Sequence, residues 1–204
     1  MHRRGSASPS QPTLGGLAEA SPSDRLFFAV FPDAAAAARI AALAASLRAA
    51  HGLHGRPVRA DRLHVTLFHL GDYHGLPMDL VDEATQAAGK VAMSPFETGF
   101  DSASSFAGRP RNRPFVLRGD EAGTAGIAGL HAALGERLKA TRLAQWARPG
   151  FVPHVTLLYD ERTVESQPIE PVAWTVREFV LVHSLIGRTE HRPLARWPLQ
   201  GGSA

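Results

Sequence analysis

The chain contains no cysteine. That excludes a disulfide framework, a thiolate nucleophile and a cysteine-ligated zinc centre, and it fits a reducing cytoplasm, the expected compartment. Lysine is nearly missing as well: Lys90 and Lys139 are the only two, so almost all of the 22 basic residues are arginines. Arginine forks match phosphate oxygens. High genomic GC content explains the same bias, together with the abundant Ala, Gly and Pro, more simply. No charge sign dominates; the net charge is +3, which supports an anionic ligand only weakly. No apolar run approaches the roughly 18 residues of a membrane span. His2, Arg3 and Arg4 are followed by Ser, Pro and Gly rather than an apolar signal core, so neither a membrane partner nor secretion is expected.

What is present is enough apolar sequence, 44% of 204 residues, for one compact domain. Residues 1–24 lack hydrophobic periodicity and predict a disordered tail; 25–199 form the expected domain, and 200–204 a short C-terminal tail. Leu26-Phe27-Phe28-Ala29-Val30-Phe31 suits a buried strand. Asp33 suits the N-cap of an alanine-rich helix striped by Ile40, Leu43 and Leu47 and ending near Gly52. A strand over Leu63–Leu70, broken by Gly71-Asp72, and a helix over Asp79–Val91 follow. Strand-like segments lie near Pro95–Phe100, Ser104–Phe106 and Phe115–Arg118. A helix over Thr124–Thr141 shows Leu130, Leu134 and Leu138 on one face. Strands at Val152–Tyr159, Trp174–Leu185 and His191–Leu199 close the chain, giving an α+β class.

Two strands carry the same tetrapeptide, His64-Val65-Thr66-Leu67 and His154-Val155-Thr156-Leu157, 90 residues apart. Along a strand, residues i and i+2 share a face, so each copy presents one imidazole beside one hydroxyl. A strand–helix unit precedes each copy, which suggests an internal duplication bringing two such pairs together across a cleft. Two imidazoles can take and give protons near neutral pH, and two threonine hydroxyls can donate to phosphate oxygens as charge builds. That inventory suits opening a phosphate ester without a metal. Other histidines are expected to be structural or superficial: His131 on a helix, His183 in a closing strand, His191 near a turn. His183 and Ser184 are outside candidates for the cleft.

These residues resemble the two-histidine (2H) phosphoesterases, and within them the RNA 2′,3′-cyclic phosphodiesterases, often named 2′-5′ RNA ligase-like. The resemblance runs over about residues 25–199: Arg25-Leu26-Phe27-Phe28-Ala29-Val30 with Pro32-Asp33, Arg62 through Leu67 with Leu70-Gly71, Phe151 through Leu157, and Ala195-Arg196-Trp197-Pro198-Leu199. It implies two pseudo-symmetric lobes of antiparallel sheet with outer helices around a central cleft. It also implies hydrolysis of 2′,3′-cyclic ends to 2′-phosphates with no cofactor and no metal, and in some relatives joining of 2′–5′ linkages. The partner it implies is RNA or a nucleotide, bound by a monomer. His64 and His154 carry over as catalytic, with His154 as base and His64 as acid, and Thr66 and Thr156 as phosphate contacts. Many relatives have Arg where Tyr159 stands, and a Trp that segment Phe115–Gly119 lacks. Arg109, Arg111 and Arg113 of the basic loop are candidate replacements for the cation, and Phe27 and Tyr159 are further candidate substrate contacts.

Two other functions compete. A metal enzyme would need ligands that converge, yet His64 and His69 are expected on opposite faces, and His51 and His54 lack carboxylates nearby. A non-catalytic RNA-binding module would use the basic loop with Phe27 or Phe106 as stacking platforms, although these rings read more simply as core.

Overall fold

In the computed structural model, which describes residues 21–108 and 112–201, the opening apolar run becomes β1 (Asp24–Val30). Hydrophobic side chains of both parities are needed there because both faces are covered: Leu26, Phe28 and Val30 join the main core, while Phe27 and Ala29 join a second cluster with Val180 and Val182. The remaining elements are α1 (Ala34–Ala50), β2 (Val65–Tyr73), α2 (Met78–Ala88), β3 (Phe96–Ser105), β4 (Arg113–Arg118), α3 (Glu121–Lys139), β5 (His154–Asp160), β6 (Gln167–Val176), β7 (Glu178–Leu185) and β8 (Glu190–Pro198). Of the expected N-terminal tail, residues 1–20 lie outside the described residues, as do Arg109, Arg111 and residues 202–204.

The strands form two four-stranded antiparallel sheets, in the orders β2-β1-β7-β8 and β5-β4-β3-β6. Matching β2 to β5 and β1 to β4 superimposes one order on the other, so the expected two-lobed α+β architecture is present. The motif-bearing strands β2 and β5 are the edges of their sheets, and these two edges come together. Helix α1 reaches across to β5 and β6, and α3 packs on β3 and touches β2, so each helix ties the lobes at the seam. Asp33 caps α1, accepting a 2.8 Å bond from the Ala36 N–H. Asp120 does the same for α3 through Gly123, at 2.7 Å, so that α3 begins at Glu121, three residues before the start the sequence suggested. Leu130, Leu134 and Leu138 are fully buried as expected.

Other boundaries differ from expectation as well. Gly71-Asp72 does not end β2: Gly71 adopts φ +120°, a conformation glycine tolerates, and the strand continues to Tyr73. The two segments expected at Pro95–Phe100 and Ser104–Phe106 merge into one strand, β3, bounded by Phe96 and Ser105. Trp174–Leu185 divides at Arg177, because β6 pairs in one sheet and β7 in the other. Among the described residues no helix is long and apolar enough to cross a membrane.

Candidate active site

Residues opposite one another in an antiparallel pair share a face. Thr66 lies opposite Ala29, and His69 opposite Phe27. Ala29 and Phe27 belong to the second cluster, on the face turned away from the helices. His69 therefore shares the face of Thr66, against expectation. A bulge is the reason: the register shifts between Phe28 and Ala29, and Leu67 and Phe68 both go into the core. One extra residue reverses the alternation downstream. β5 repeats the device, with Thr156 opposite Val116 and Tyr159 opposite Pro114 across a shift between Phe115 and Val116. Tyr159, half exposed at 50%, thus stands where His69 stands in the other lobe.

Both motif histidines are oriented alike. His64 Nδ1 lies 2.7 Å from the Arg62 carbonyl, and His154 Nδ1 2.8 Å from the Val152 carbonyl. A carbonyl can only accept, so each Nδ1 carries the proton and each Nε2 is left with a lone pair for chemistry. Their surroundings differ. His64 stacks on Phe27 at 5.0 Å, meets Phe31 at 5.8 Å and faces the edge of His191 at 5.3 Å. Burial, with added repulsion from Arg62 and His154, pushes its pKa down to about 4. His154 is more open; burial first, and then Arg118, lower its pKa too. The ring of Phe106 meets His154 edge-on at 5.0 Å.

Of the other residues singled out in the sequence, Phe27 is 3% exposed and packs beneath His64; it shapes the histidine pocket. Arg113 sits at the far end of β4, where it donates to the Glu161 carbonyl at 2.8 Å, away from His154. His131 is sandwiched between Phe68 and Phe151, at 4.1 and 4.0 Å, and is structural. His183 lies opposite Leu26 on the core face and pairs with buried Asp24 at 2.5 Å, whereas Ser184 lies opposite Arg25 on the other face.

His191, expected to be structural or superficial, lies against His64. It lies opposite Ser184 on β8, and its Nε2 sits 3.0 Å from the Arg62 guanidinium. Arginine only donates, so His191 accepts at Nε2 and bears its proton on Nδ1. Burial and the neighbouring His64 and Arg62 hold its pKa down to about 4. Arg62 Nε and His191 Nδ1 are both buried without a partner among the described residues. An isolated His beside a turn gives no sequence signal for this. Only the β7–β8 register brings it there. The expected outcome for His191→Phe is a raised KM and a Tm within a few degrees of the parent, read by steady-state kinetics and thermal melting. A variant with unchanged kinetics would remove His191 from the site.

Among the described residues no group of three or more His, Asp or Glu could hold a metal ion. The cleft therefore offers two imidazoles with free Nε2 atoms on adjoining strands, two threonines beside them, and a neighbouring arginine in each lobe. Residues 26–187 match the 2′-5′ RNA ligase superfamily. The RNA 2′,3′-cyclic phosphodiesterase of Escherichia coli K12 is 33% identical over 149 residues, 71% of this chain and 80% of that protein.

The chain belongs to the 2′-5′ RNA ligase superfamily. It is a phosphoesterase of that family. The structure of E. coli LigT in apo form is 31% identical, with a TM-score of 0.68, covering 88% of this chain and 99% of that one. LigT complexed with 3′-AMP is likewise 31% identical, with a TM-score of 0.63 over 87% of this chain and 98% of that one. Similarity over nearly the whole of both chains means that this superfamily member keeps both lobes.

Proposed function

We propose that this protein hydrolyses 2′,3′-cyclic phosphodiester ends of RNA or nucleotides to 2′-phosphomonoesters. The observation carrying this reading is the pair of histidines, each locked by a backbone carbonyl so that Nε2 is free. One neutral imidazole takes a proton from water as it attacks phosphorus. The P–O3′ bond breaks on the opposite side, and a protonated imidazole gives its proton to the departing 3′ oxygen. Thr66 and Thr156 donate to the non-bridging oxygens. The similarity to an RNA 2′,3′-cyclic phosphodiesterase and to LigT, which binds 3′-AMP, supports a nucleotide substrate. Joining of a 2′–5′ linkage would use the same chemistry, with a 5′ hydroxyl replacing water as the attacking group.

The two environments favour different jobs. His64, against Phe27 and Phe31 with a pKa near 4, is the one more readily neutral, and we assign it the role of base. His154, more open, is the one more readily protonated and takes the role of acid. This order reverses the one the family resemblance implied. A nucleotide p-nitrophenyl ester separates the two, because its leaving group needs no proton: His154→Ala keeps activity on it and His64→Ala does not. The opposite pattern would restore the other order.

The free enzyme needs His64 neutral, above about pH 4, and His154 protonated, below a pKa that is lowered from 6.5. The kcat/KM profile is therefore expected to be bell-shaped with its maximum on the acid side of neutrality. A bound phosphate anion raises both values, so the kcat profile lies to the alkaline side of it. A kcat/KM maximum above neutral pH would contradict this electrostatic reading. EDTA is expected to leave the rate unchanged. The decisive test of function is product analysis on an oligonucleotide ending in a 2′,3′-cyclic phosphate: a 2′-phosphate supports the proposal, and an uncut ring or a 3′-phosphate overturns it.

A further inference from the structure

We infer that Arg118 is the cationic phosphate contact of the cleft, donating to a non-bridging oxygen of the scissile phosphate beside His154. The inference rests on the phosphodiesterase reading above and adds a residue to it. The sequence resemblance leaves the position at Tyr159 without its cation, and Arg113 is spent on the Glu161 carbonyl.

Arg118 lies directly opposite His154 in the β4–β5 register, so the two share the cleft face. Its guanidinium carbon stands 5.8 Å over the Phe106 ring, and that ring in turn packs against His154. Phe106 thereby supports both the cation and the imidazole. A guanidinium resting on an aromatic face keeps its N–H edges for another partner. None of the ion pairs among the described residues includes Arg118. The hollows on its two sides, about 420 and 390 Å³, carry Asp101 and Asp120 on one side and Glu165 on the other. These carboxylates are the groups a phosphate must outcompete.

In the other lobe no arginine stands at the position matching Arg118. Continuing the β1–β2 register by one residue brings Phe31 opposite His64, and its ring packs on that imidazole. The nearby Arg62 is held by His191. The site is thus lopsided, with an apolar wall at His64 and an arginine at His154. A phosphate drawn to Arg118 lies against His154, and its charge eases protonation of that histidine.

The test compares wild type, Arg118→Gln and Arg118→Lys, all full length, on a 2′,3′-cyclic nucleotide, with inorganic phosphate as inhibitor. Arg118→Gln is expected to lose about 10²–10³-fold in kcat/KM. Its phosphate inhibition constant should rise by about tenfold or more, as expected for a lost charge-assisted bond. Lysine should restore part of both. The His154 limb of the pH profile should move to higher pH in Arg118→Gln, since a repelling cation is gone, while Tm stays put. Unchanged kcat/KM and unchanged phosphate inhibition in Arg118→Gln would overturn the inference, as would equal losses in both variants accompanied by a lowered Tm. Should wild type leave cyclic phosphates uncut, the phosphodiesterase reading falls. Calorimetric binding of inorganic phosphate to wild type and Arg118→Gln would then still decide the role of Arg118.

Discussion

His64→Ala and His154→Ala are each expected to lose about 10²–10⁴-fold in kcat/KM on a cyclic phosphate, the range that positioned proton transfer supplies. Both side chains lie on the cleft face, outside the core cluster packed under the helices. Truncation therefore leaves no sealed cavity, and melting temperatures should stay within a few degrees of the parent. Proton uptake and proton delivery serve one transition state, so the losses are not additive. The double variant should be little slower than the worse single one. Near-full activity in either single variant would sink the two-histidine scheme. Comparable losses accompanied by a collapse of Tm would show the residue to be structural.

Asp160→Ala is expected to be the most damaging single change to stability near the site. The Asp160 carboxylate ends β5 and accepts from three backbone N–H groups: His54 at 2.6 Å, Gly55 at 2.7 Å and Arg162 at 2.9 Å. Through these bonds the loop after α1 is laid along β5. The approach is so close that a Cβ on Gly55 would stand 2.0 Å from the Tyr159 carbonyl oxygen. Removing the carboxylate leaves those donors without partners, at a cost of about 2–4 kcal/mol, or a fall of very roughly 5–15 °C in Tm for a chain of this size. Burial raises the Asp160 pKa, but the three N–H groups outweigh it and hold the folded value below the ordinary one. A lowered carboxylate pKa stabilises above the unfolded pKa of about 3.9, and that stability is lost as pH falls through the folded value. Wild type should therefore lose more stability than Asp160→Ala when acidified across that window. Parallel losses in urea titrations of the two would refute this account.

The chemistry was more legible in the sequence than the geometry around it. Two identical His-x-Thr strings in β-branched surroundings announce two matching strands, and the strand–helix units before them announce two matching lobes. Period-two reasoning also put each His and Thr on one face, which holds because the bulge comes only after them. It misjudged His69, since a bulge is set by cross-strand register and leaves no composition signature. Gly71 read as a breaker, but in a strand edge a glycine can supply a positive φ without ending the pairing. His191 read as structural or superficial and Arg118 only as the end of a strand, because neither sits in a motif. What recruits them is pairing across β7–β8 and β4–β5, which no local pattern encodes.

The passage of the chain from one sheet to the other at Arg177 has a bearing on synthesis. The sheet of the first lobe is assembled from both ends of the sequence, β1 and β2 with β7 and β8, whereas the sheet of the second takes its strands only from β3 to β6. On a ribosome the second lobe is complete as soon as Val176 has emerged. Until then β1 has β2 on one side and nothing on the other, with Phe27 and Ala29 uncovered where Val180 and Val182 will lie. The lobe that is translated first is thus finished last. An exposed β1 edge on the nascent chain is the stage at which aggregation, or capture by a chaperone, would be concentrated.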